Sequence, residues 1–110
     1  MIVFIEHPVF TKQIAELLTD EQYRDFQNDL AENPHQGDVI PGLGGLRKVR
    51  LALPVRGKRG GARALYLLFI RAEVIYLIFA YTKGEFAEIP AEKRKVMKQL
   101  VTEIKKEFAQ

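Results

Sequence analysis

The chain has 110 residues, with 17 Lys and Arg against 14 Asp and Glu and no Cys. That length suits one domain, and a composition 47% apolar and 28% charged belongs to a globular fold rather than a disordered chain. Without Cys there is no disulfide framework, thiol nucleophile or Cys-based zinc site, and the two separated histidines, His7 and His35, do not make a metal site by spacing.

The first apolar run, Ile2 to Ile5, reads as a short strand. Glu6 follows it and no basic leader precedes it, so no secretory signal is expected. Phe10, Ile14, Leu17 and Leu18 then recur at helical spacing and form one apolar face. Thr19-Asp20-Glu21-Gln22 fits a capping box, with Thr19 as N-cap and Gln22 at the third helical position. The second helix carries Tyr23, Phe26 and Leu30 on its apolar stripe and ends at Asn33-Pro34, because the residue before proline is pushed out of the helical region. With so little chain between them, the two helices should form an antiparallel hairpin.

Gly37 to Gly45 is rich in turn chemistry and reads as a loop. Leu46 to Leu53 alternates imperfectly between apolar and basic residues, as a half-buried strand does. Pro54 to Gly61 is a glycine-rich, cationic loop. Arg63 to Ile70 and Val74 to Tyr81, separated only by Arg71-Ala72-Glu73, predict a β-hairpin. Neither run approaches the roughly 20 apolar residues that a membrane-spanning helix needs. A last helix is predicted to start near Pro90. Its stripe is Met97, Val101, Ile104 and Phe108, with Lys93, Arg94, Lys95, Lys98, Lys105 and Lys106 on a solvated face. The expected fold is α+β, with helices on one face of an antiparallel sheet of about three strands.

The net charge of +3 hides a strong segregation. Residues 1–38 carry two basic and eight acidic side chains. Residues 39–72 carry eight basic ones (Arg47, Lys48, Arg50, Arg56, Lys58, Arg59, Arg63 and Arg71) and no acidic one. Residues 73–110 are nearly balanced, with seven basic and six acidic. Such a block points to a polyanion-facing patch. Arg binds phosphate bidentately and Lys as a point charge, while Gly57, Gly60 and Gly61 would let backbone N–H groups approach an anion. The Gly57-Lys58 pair is not a P-loop, because the first-glycine spacing and the Ser or Thr after Lys are missing. No Ser-His-Asp or paired-carboxylate arrangement is evident. Tyr66, Phe69, Tyr76 and Phe79 read as core, whereas Tyr81, ending its strand near Lys83, is the candidate for stacking on a base.

Several blocks occur in order: Asn33-Pro34, Gly37-Asp38-Val39-Ile40-Pro41-Gly42, Gly44-Gly45-Leu46-Arg47-Lys48-Val49-Arg50, Gly57-Lys58-Arg59-Gly60-Gly61-Ala62-Arg63-Ala64-Leu65-Tyr66 and Tyr81-Thr82-Lys83. Together they resemble the HigB-type branch of the RelE/ParE toxin superfamily, from about Phe10 to the last helix. The resemblance implies a helical hairpin packed on a small curved antiparallel sheet with a C-terminal helix. It implies a cytoplasmic toxin of a type II toxin–antitoxin module, acting as a ribosome-dependent mRNA endoribonuclease without metal or other cofactor. Its partners would be a HigA-like protein antitoxin, the ribosome and mRNA, with operator DNA met only through the antitoxin complex and no membrane contact.

By motif position the resemblance assigns catalysis to Arg63, Lys58, Lys83 and Arg50. It matches Arg47 and Arg50 to a basic pair, with Lys48 on the alternate face, and Arg59 to a loop cation; with Arg56 from the basic block and Tyr81 as the stacking candidate, Arg47, Lys48, Arg56, Arg59 and Tyr81 are the expected RNA-binding residues. The tyrosine that RelE carries shortly after its last basic residue has no counterpart; Phe86 and Glu88 stand in that neighbourhood. ParE-type relatives share the fold and inhibit DNA gyrase, which is the alternative activity. A basic RNA- or DNA-binding module without catalysis is another.

Overall fold

The computed structural model describes residues 1–52, 61–86 and 88–108. In chain order its elements are β1 (Val3–Glu6), α1 (Pro8–Leu17), α2 (Asp20–Glu32), β2 (Asp38–Val39), β3 (Arg47–Leu51), β4 (Ala62–Phe69), β5 (Val74–Thr82) and α3 (Ala91–Phe108). The helix boundaries follow from local chemistry. Pro8 supplies a fixed φ at the start of α1, and His7 caps it by accepting the Val9 N–H on Nδ1 at 3.2 Å. His7 is thus a structural cap. The predicted capping box is present at α2: Thr19 Oγ1 accepts the Gln22 N–H at 3.2 Å, and Gln22 Oε1 accepts the Thr19 N–H at 2.8 Å. Asn33 ends α2 before Pro34.

The sheet differs from the expectation in three ways. It has five strands in the order β1-β5-β4-β3-β2, and β1 runs parallel to β5 while the other pairs are antiparallel. The two-residue β2 escapes sequence reading because Asp38 and Val39 are both exposed and show no alternation. The helices also lie on both faces rather than one. The α1–α2 hairpin buries Phe10, Ile14, Leu18 and Leu30 against Val49, Leu51, Ala62, Ala64, Tyr66, Ile75, Leu77 and Ala80. On the opposite face α3 buries Met97, Val101 and Ile104 against Leu46, Leu65, Leu67, Ile78 and Tyr81. Two-sided burial explains why β4 and β5 read as continuous apolar runs rather than as alternating strands.

A bulge adjusts this double packing. Leu65 pairs with Phe79 and Tyr66 with Leu77, which leaves Ile78 as an extra residue on β5. Ile78 and Phe79 therefore both join the α3 side, and that face gains an apolar residue. Phe108 stacks on Phe69 with ring centroids 4.5 Å apart, while Lys93 Nζ lies 5.8 Å from the Phe79 centroid and 5.6 Å from that of Phe86. The C-terminal end of α3 thus sits by the β4–β5 turn, and its N-terminal end points to the opposite end of the sheet.

Two contacts fasten the chain between α2 and β3. The fully buried Tyr66 donates its hydroxyl to the Pro34 carbonyl at 2.7 Å and accepts the Gly37 N–H at 2.9 Å. A Cβ at Gly37 would lie 2.8 Å from Tyr66 Cε1, so only glycine fits there. Further on, Arg94 Nη2 donates to the Pro41 carbonyl at 2.9 Å and Lys105 Nζ to the Gly44 carbonyl at 3.1 Å. Gly44 has φ +65°, and a Cβ there would meet Val101 Cγ1 at 2.9 Å. These two cations of α3 therefore hold the loop, which corrects their reading as part of a solvated face.

Replacing Tyr66 by Phe orphans a buried N–H and a carbonyl, and is expected to lower stability by about 1–3 kcal/mol in urea unfolding. The phenols of all four tyrosines, Tyr23, Tyr66, Tyr76 and Tyr81, are pushed up, with burial the largest cause at each and the hydrogen bond to Glu6 adding at Tyr23. The unfolded chain ionises them near pH 10 while the fold keeps them protonated. Their stabilising effect is therefore full below about pH 10 and is lost as pH rises beyond it. Unfolding midpoints measured across pH 7 to 11 should fall on that alkaline limb.

Candidate nucleic-acid interface

Strand register decides which basic residues share a surface. Side chains alternate along β3, so Lys48 and Arg50 share one face while Arg47, Val49 and Leu51 share the other. Arg50 stands directly opposite Arg63, Lys48 opposite Leu65, and Arg63 opposite Tyr81. Leu65 and Tyr81 belong to the α3-side core, so Lys48, Arg50 and Arg63 fall on the α3 side of the sheet. They sit at the end beyond the cover of α3, where Lys48 and Arg50 are exposed and Arg63 is half-buried. Directly opposed like charges are unfavourable in a sheet, and a bound anion would relieve that cost. Arg63 Nη1 also donates to the Ala62 carbonyl at 3.2 Å.

Arg47 is different, and the expected pairing of Arg47 with Arg50 is corrected: a separation of three residues puts them on opposite faces. Arg47 lies opposite Tyr66 and turns back to donate from Nη1 to the carbonyls of Gly37 at 2.7 Å and His35 at 3.1 Å. It closes the same knot as the Tyr66 hydroxyl.

Lys83 lies in the turn after β5, exposed, with its N–H donating to the Gly61 carbonyl at 3.1 Å. Thr82 and Glu85 shape that turn: Glu85 Oε1 accepts the Thr82 N–H at 3.0 Å and Thr82 Oγ1 accepts the Glu85 N–H at 3.3 Å. Lys83 therefore shares the sheet end of Arg63. Arg50 sits on the edge that β2 leaves uncovered, and also borders a groove beside α2 with Asp25 and Asp29. Arg56, Lys58 and Arg59, with Gly57 and Gly60, lie outside the described residues.

Tyr81 is not the exposed stacking platform expected from its place near Lys83. Its ring is 3% exposed, 6.0 Å from the Phe79 ring and 5.8 Å, edge-on, from that of Phe86. Burial pushes its phenol up and the Arg63 charge partly offsets this, so the group stays protonated at neutral pH and cannot act as a base. Tyr81 does line a cleft of about 370 Å³ between the sheet and the start of α3, together with Ile40, Pro41, Lys48, Glu88, Ile89 and Arg94. Sequence reasoning did not assign Glu88 or Arg94 to the site. A signal existed for Arg94, which lies three residues before Met97 and so extends the apolar stripe of α3. Nothing comparable marks Glu88.

A chain in the crystal structure of the intact E. coli RelBE toxin–antitoxin complex superposes with a TM-score of 0.56, covering 74% of this chain and 96% of that one at 16% sequence identity. The fold is RelE-like. No protein-family model matches the sequence. Among the described residues no helix is long and apolar enough to cross a membrane, and no group of three or more His, Asp and Glu side chains is arranged to hold a metal ion.

The division between Arg47 and Lys48 is open to test. Arg47→Ala removes charge-assisted bonds to two carbonyls and should cost about 1 kcal/mol or more in unfolding experiments. Lys48→Ala should stay within about 0.5 kcal/mol of the parent, as an exposed substitution does.

Proposed function

We propose that the chain is the toxin of a type II toxin–antitoxin module, a HigB-type member of the RelE/ParE superfamily that cuts mRNA on the ribosome. The observation that carries this reading is the gathering of Lys48, Arg50 and Arg63 on one face of the sheet, with Lys83 at the same sheet end. The RelE-like fold supports it, as does the run of sequence blocks that resembles HigB-type toxins.

Cleavage needs a proton taken from the ribose 2′-hydroxyl, whose oxygen then attacks phosphorus. It also needs the phosphorane charge stabilised and a proton delivered to the departing 5′-oxygen. Arg63 binds the scissile phosphate and Arg50 shares the developing charge, because a guanidinium stays protonated and serves as a stabiliser. Lys83 and Lys58 carry the proton transfers, because an amine can take a proton and an ammonium can give one. Lys48, Arg56 and Arg59 hold flanking phosphates. Tyr81 supports Arg63 from directly across the strand pair. A HigA-like protein antitoxin with an acidic segment would neutralise this face by charge complementarity.

Induction of the protein alone should arrest growth and give mRNA 5′ ends phased with codons, and Arg63→Ala should remove both while still binding the antitoxin. An Arg63→Ala protein as toxic as the parent contradicts the assignment. DNA breaks with intact mRNA would favour the ParE-type activity, and neither effect would leave a binding module.

A further inference from the structure

The cleft beside Lys48 has chemistry that phosphate binding does not need. Ile40, Pro41 and Ile89 give it an apolar part, and Glu88 contributes a carboxylate that would repel a phosphate. Among the described residues no ion pair joins exposed Glu88 to Lys48 or Arg94. The Arg94 guanidinium is instead bonded to the Pro41 carbonyl, where it holds one wall in place. A slot of ligand size that mixes apolar side chains and two cations with one acceptor-only carboxylate suits a flat heterocycle that presents hydrogen-bond donors and carries a phosphate.

We propose that this cleft seats one nucleobase of the bound RNA and that Glu88 selects guanine there. The inference rests on the reading of this face as RNA-binding. Guanine presents N1–H and N2–H side by side, two donors that match the two oxygens of a carboxylate. Adenine offers N6–H beside the N1 lone pair, and cytosine N4–H beside the N3 lone pair, so each sets an acceptor against the carboxylate. Uracil has one donor flanked by two carbonyls. A bidentate pair of this kind discriminates by roughly ten-fold or more. The apolar side chains of the lining suit the faces of a base unstacked from single-stranded RNA, and Lys48 is positioned in the same lining to take the phosphate of that nucleotide.

The test is titration of the purified protein with GMP and with AMP, followed by NMR at the Ile40 and Ile89 methyl groups and the Tyr81 ring. GMP is expected to bind at least about ten-fold more tightly than AMP. Glu88→Gln, whose amide has one donor and one acceptor and so suits either purine, should bring the two close to parity. Because Glu88 is exposed, that variant should keep the parent's spectrum outside the cleft. Equal affinities in the parent, a preference that survives Glu88→Gln, shifts confined to another face, or no shift with either nucleotide at millimolar concentration would each overturn the proposal. Codon-phased cuts without a GMP preference sink the guanine slot alone, whereas a GMP preference without cuts keeps the slot and sinks the nuclease.

Discussion

The arrangement depends on a sheet that is roofed on both faces but not along its whole length. The α1–α2 hairpin covers one side, and on the other α3 runs from the cleft to the β4–β5 turn, where Phe108 rests on Phe69. Under those roofs β4 and β5 tolerate only apolar residues, since an unpaired charge in a dry layer is costly. Charge can therefore enter the α3 side only where the cover stops. Arg63 occupies that first uncovered position of β4, and Lys48 and Arg50 reach it from β3. The cationic face and the hydrophobic core are two consequences of one packing decision.

The basic residues of that central stretch divide by task. Arg47 and the Tyr66 hydroxyl draw Pro34, His35 and Gly37 onto the sheet and fix where β2 and β3 begin. Arg94 and Lys105 do the equivalent work for the loop at Pro41 and Gly44. Of these four side chains Arg94 lines the cleft. Lys48, Arg50 and Arg63 lie on the α3 side of the sheet, with Lys83 at the same sheet end. The acidic residues of the first third lie largely on α1 and α2, which pack on the other face of the sheet, and Asp25 and Asp29 share the edge groove that Arg50 borders.

Most of the fold was legible because it is written in short-range chemistry. The capping box at Thr19, the stop at Asn33-Pro34, the β4–β5 hairpin and the stripe of α3 each depend on residues a few positions apart. What escaped depends on long-range pairing: the parallel β1–β5 contact, the brief β2, and the placing of α3 on the far face. The site was legible to the same degree. Charge patterning located the surface, but an imperfect alternation in Arg47-Lys48-Val49-Arg50 concealed which side chains share a face until β3 was in register with β4. Tyr81 misled because a strand-end aromatic looks exposed in sequence, whereas Phe79 and Phe86 bury it. Glu88 carries no periodic or motif signal at all, and only the closing of the chain over the sheet brings it beside Lys48.

The claim on which the functional account stands is that the uncovered, α3-side end of the sheet is the face that meets RNA on the ribosome. Lysine acylation footprinting by mass spectrometry, with and without translating ribosomes, tests it directly. The account predicts that Lys48 and Lys83 become protected while Lys12 on α1 and Lys106 on the outer face of α3 react as before. Protection of Lys12 with Lys48 and Lys83 still open would contradict it.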